Sequence, residues 1–80
     1  MKAFREHVSR AIRAKGSQVK LAGEVGCSQQ YISWLLNEAE QISAEMAVAF
    51  ERATGGEVSR SDLRPDLFPP VNHDHGAPAA

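Results

Sequence analysis

Residues 17–37, SQVKLAGEVGCSQQYISWLLN, hold the feature that most limits what this chain can fold into. Two short apolar-striped segments are separated only by Gly26, Cys27 and Ser28. Leu21, Ala22 and Val25 share a face of the first segment, and Ile32, Leu35 and Leu36 share a face of the second. Gly26 stands where a helix ends on a left-handed residue, and Ser28 where the next helix begins on a side-chain cap. A link this short, with glycine at its first position, forces the two helices to cross steeply, as in a helix-turn-helix. Ala22 fits the close approach that such a crossing needs, because a larger side chain would push the helices apart.

The rest of the chain must complete one core around that pair. Eighty residues make a single domain, and a chain so short buries only about 60% of the surface its unfolded form exposes. Residues 2–14 place Phe4, Val8, Ala11 and Ile12 on one face of a first helix, which Lys15-Gly16 stops. Ser17 caps the second helix, and Asn37 closes the third. Ser43 caps a fourth, with Met46, Ala49, Phe50 and Ala53 at helical spacing and Gly55-Gly56 at its end. Ser59 and Asp62 have the spacing of a capping box for one short last turn, ended by Arg64-Pro65. No segment alternates as a half-buried strand does. The expected fold is all-α, four to five helices over residues 1–68. The stretch from Pro69 to Ala80, PPVNHDHGAPAA, has little to bury and reads as a disordered tail.

Composition removes several function classes. Cys27 is the only cysteine, which excludes a disulfide framework and points to a reducing compartment. No run approaches the ~18 apolar residues of a membrane span. Charges occupy the N-terminus where a signal peptide needs its apolar segment. A soluble, cytoplasmic protein without a membrane contact is expected. There is no glycine-rich phosphate loop and no nucleophile with a base at a supportive spacing, so neither an enzyme nor a cofactor is expected. His73-Asp74-His75 has metal-ligand residue types without a fixed geometry or supporting shell, and no metal is expected there. Cys27 reads as a small buried hydrophobe and His7 as a core-edge residue.

The net charge of −1 conceals a division. Residues 1–37 carry six basic against two acidic side chains, a net +4, and residues 38–80 carry three against eight, a net −5. A split of this kind suggests that one end meets an anion, the alternative being that both ends are simply solvated surface. Arg10, Arg13, Lys15 and Lys20 flank the paired helices and are the candidates for contacting it.

The run QVKLAGEVGCSQQYISWLLN resembles the helix-turn-helix of the Cro/CI repressor family of phages and prophages. The later run FERATGGEVSRSDLRPDLF looks like the YdaS-type branch of small prophage regulators, also described as antitoxin-like. Together they cover roughly residues 17–68. One departure is that related sequences often carry tryptophan at the place of Leu35 and a polar residue at the place of Trp34. The resemblance implies a lambda-repressor-like domain that binds double-stranded operator DNA. It also implies that Gln18 braces a phosphate and the first glutamine of the third helix.

The third helix itself supports that expectation. At ~100° per residue, Tyr31, Ile32, Leu35 and Leu36 fall on one side and Gln29, Gln30, Ser33, Trp34 and Asn37 on the other. The outward side thus holds amides, a hydroxyl and an indole, where a merely solvated helix would show Lys and Glu. A glutamine can accept and donate together at the adenine edge in the major groove. Gln29, Gln30 and Ser33 are the expected base-reading residues. Gln18, Ser28, Lys20, Arg13, Lys15, Trp34 and Asn37 are expected at the DNA backbone. For Trp34 a thymine methyl, or folding back onto Met46 or Phe50, remains open beside the backbone.

One module of this size reads too few base pairs to find a site in a genome, so a homodimer is expected, with two helices about one DNA turn, ~34 Å, apart. Leu63, Leu67 and Phe68 lie near the end of the folded part with little sequence left to cover them, and are the expected dimer contact. The alternative is an antitoxin-type module that masks a toxin protein through residues 38–80 and controls its own operon.

Overall fold

The computed structural model describes residues 3–69. Five α-helices follow one another: α1 (Ala3–Lys15), α2 (Gln18–Val25), α3 (Gln29–Asn37), α4 (Ala44–Ala53) and α5 (Arg60–Leu63). The described residues contain no strand. The expected all-α architecture stands, with each helix within a residue or two of where its start and stop signals put it. The expected tail beyond Pro69, including His73-Asp74-His75, lies outside the described residues.

Local chemistry accounts for the helix starts. Ser17, Ser28, Ser43 and Ser59 each hold an extended backbone and accept a hydrogen bond from the amide three residues on. Each satisfies one of the four N–H groups that a helix start leaves unpaired, which is worth about 1 kcal/mol per cap. At Ser59 the reciprocal bond from Ser59 N–H to the Asp62 carboxylate completes a capping box. The closing signal of α2 is Gly26, at φ 94°. Its N–H and that of Cys27 both donate to the Ala22 carbonyl, at 2.8 and 3.0 Å.

The core is one cluster: Phe4, Val8 and Ala11 from α1, Leu21 and Ala22 from α2, Ile32 and Leu35 from α3, Ala47 and Phe50 from α4, and Leu63 from α5. α2 sits at its centre and packs against α1, α3 and α4, while α5 closes onto α1 and α4. In α4 it is Ala47, not the expected Ala49, that is fully buried. Three further core residues, Ala39, Ile42 and Val58, lie outside every helix.

Burying an irregular segment leaves carbonyl groups that need donors. Arginines supply them across long sequence distances. Arg5 donates to the Ala39 carbonyl at 2.8 Å, Arg64 to the Ile42 carbonyl at 2.8 Å, and Arg10 to the Glu57 carbonyl at 2.9 Å. Thr54 ties the turn after α4, donating to the Phe50 carbonyl at 2.9 Å and accepting from Val58 N–H at 3.2 Å.

The expected dimer contact needs correcting at Leu63. It is 2% exposed, a core residue on a helix packed against this chain's own α1 and α4, and offers almost no surface to a second copy. Phe68 is half-buried, packed against the core with the Arg60 guanidinium 5.5 Å from its ring centre. Leu67 alone of the three is open, at 48%.

Candidate nucleic-acid interface

The α2–turn–α3 unit divides α3 into a holding side and a free side. Ile32 and Leu35 are fully buried, and Tyr31 and Leu36 are packed against the core from its edge. Gln29, Gln30, Trp34 and Asn37 are exposed, and Ser33 is half-buried. No side chain of α3 carries a charge. Gln29 and Gln30 therefore stand beside each other in the first turn, at the end of the helix whose free N–H groups favour an anion.

Gln29 does not stand alone. Its Nε2 donates to Gln18 Oε1 at 3.5 Å, the long end of a hydrogen bond, which links the first residues of α2 and α3. Ser28 caps α3 through the Tyr31 amide at 3.1 Å, so its hydroxyl is partly spent inside the protein. At the other end Asn37 Nδ2 donates to the Ser33 carbonyl at 2.9 Å and approaches the Ser33 hydroxyl at 3.4 Å. Asn37 and Ser33 thus form a local pair at the exposed end of the helix.

Trp34 stands half open on the outward side of α3. Its indole is 47% exposed, with the Tyr31 ring 5.6 Å away at a 35° tilt. Tyr31 is half-buried, and burial, with Cys27 nearby, pushes its hydroxyl pKa up. Cys27 sits half-buried in the turn with its thiol pKa also raised by burial, so at neutral pH it stays the protonated, weakly nucleophilic form.

The basic side chains sort into two groups. Arg13 and Lys20 are exposed on α1 and α2, and Lys15 lies 4.0 Å from Glu24. Arg10, expected as a phosphate contact, is 40% exposed at its side chain and already holds partners within the chain. It bonds to Glu57 O and His7 Nδ1, and lies 3.7 Å from the Asp62 carboxylate. In the acidic half, Arg60 and Arg64 bond to Glu51 and Asp66 and hold both carboxyls below the usual carboxylate range. Among the described residues no three His, Cys, Asp or Glu side chains gather as a metal site, and no helix is long and apolar enough to cross a membrane.

A small all-helical domain in which a three-residue turn presents one uncharged polar helix side is the class that these features define. Within that class the chain belongs to the family described as bacterial toxin YdaS, whose model matches residues 8–72. It is also 38% identical over 55 residues to a prophage transcriptional regulatory protein of Escherichia coli (strain K12), covering 69% of this chain and 83% of that relative. No solved structure matches it.

Proposed function

We propose that the protein is a sequence-specific, double-stranded DNA-binding transcriptional regulator of the Cro/CI type. In this reading α3 lies in the major groove, Gln29 and Gln30 read adenine edges, and Ser33 contacts a neighbouring base. Arg13, Lys15 and Lys20 meet phosphates, and Gln18, Ser28 and Asn37 fix the register of α3 on the backbone. The observation that carries the reading is the exposure of two adjacent glutamines in the first turn of α3, with no duty in the core. The name of the Escherichia coli relative supports it. The protein acts in the cytoplasm as a homodimer, since one helix reads too little sequence alone. After Leu63 is set aside, Leu67 and the outer edge of Phe68 are the proposed contact.

The test is Gln29→Ala and Gln30→Ala, measured against the best duplex selected from a random library and against unselected duplex. Each is expected to weaken the selected site by about 1–3 kcal/mol and to leave unselected duplex nearly unchanged. Equal losses on both would remove base reading. A second reading, favoured by the family's description as a toxin, is a toxin–antitoxin module whose protein contact uses residues 38–80. Growth arrest on expression of the doubly substituted Gln29→Ala, Gln30→Ala chain would favour it over DNA occupancy.

A further inference from the structure

Trp34 is the chain's only tryptophan, and it is one of the few large apolar side chains that the fold leaves half open. The site is firm. The Trp34 carbonyl accepts from both Glu38 N–H at 2.8 Å and Ala39 N–H at 3.0 Å, and Ala39 is buried in the core. On one side the indole leans toward the Tyr31 ring, which is itself held against the core. The other residues on the outward side of α3, Gln29, Gln30, Ser33 and Asn37, carry only amides and a hydroxyl. Trp34 follows Gln30 by one helical turn, so the two sit ~6 Å apart along α3.

We propose that Trp34 reads the C5-methyl group of a thymine lying next to the base read by Gln30. The inference rests on α3 being the base-reading helix and deepens that assignment. An indole gains by leaving water only where it meets an apolar group. In the major groove the base edges offer hydrogen-bonding atoms and one apolar feature, the thymine methyl. A phosphate contact would use the indole N–H alone and leave the ring wet. The Tyr31 ring beside the indole limits the rotameric freedom that Trp34 has to lose on binding. Trp34 thus adds a preference for T beside the adenine preference of the glutamines, and the site of each protomer is A·T-rich.

The full chain is used to select duplexes from a random library, and each thymine of the selected site is then replaced by uracil. That exchange removes the methyl and keeps every hydrogen bond and phosphate. The native protein is expected to lose about fourfold at one thymine per half-site, the ~0.8 kcal/mol of one buried carbon converted at 1.4 kcal/mol per tenfold. Trp34→Ala and Trp34→Gln bind more weakly and are indifferent to uracil at that position. Unchanged helicity by circular dichroism shows that both variants fold. Native binding indifferent to uracil at every thymine overturns the proposal, and so does either variant losing as much as the native chain. If the native chain selects no sequence at all, base reading by α3 falls as well. A selected site without uracil sensitivity removes only the assignment of Trp34.

Discussion

Leu63 and Leu67 lie one helical turn apart in sequence and have opposite fates. Leu63 is 2% exposed and Leu67 is 48% exposed. Truncating Leu63 leaves a cavity inside a small core, and Leu63→Ala is expected to cost about 2–4 kcal/mol in urea denaturation. Leu67→Ala is expected to shift stability by no more than about 0.5 kcal/mol. If the dimer contact runs through Leu67, the order reverses in sedimentation, where Leu67→Ala weakens self-association and the residual folded Leu63→Ala keeps it. The sequence misleads at Leu63 for a physical reason. Its helix packs against α1 and α4, which the order of the sequence does not bring to it. Trp34 shows the converse. Spacing put it on the outward side of its helix, three residues from Tyr31, and the structure adds the ring geometry, 5.6 Å at a 35° tilt.

Among the elements, the helices and their ends were legible because their signals are local. Four serine caps and the Gly26 stop act within a few residues of themselves. Gly26 and Gly23 make a sharp pair of controls. A Cβ at either meets nothing within 4 Å, so neither position is closed by crowding. The backbone decides instead. Gly26 sits at φ 94°, where an L side chain is strained, and Gly26→Ala is expected to destabilise by about 1–2 kcal/mol. Gly23 lies inside α2, and Gly23→Ala is expected to stabilise by about 0.5–1 kcal/mol. Paired denaturation curves check both signs. The irregular stretch between α3 and α4 was not legible. Ala39 and Ile42 are core residues there, but without helical periodicity nothing marks them. Their carbonyls are held by Arg5 and Arg64, 34 and 22 residues distant.

For the whole molecule, the division of charge pointed to an anion-facing end, but counting could not say which cations are free to meet it. Arg5 and Arg10 are engaged with carbonyls of distant segments, whereas Arg13 and Lys20 are exposed. Lys20→Ala is therefore expected to lower the slope of log K against log salt by about 0.9, the share of one phosphate. Arg10→Ala leaves that slope unchanged and lowers stability by about 1 kcal/mol through the lost bond to Glu57. Binding titrations over a range of salt separate the two, and an equal slope change would place Arg10 at the DNA after all. The two-sided character of α3 has an evolutionary consequence. Ile32 and Leu35 anchor the helix to the core, while Gln29, Gln30 and Trp34 fill no core space. Substitutions at those three positions can drift with little penalty in folding. If α3 reads bases as proposed, a lineage carrying this domain can re-address it to a new site by changing a few side chains on the same scaffold.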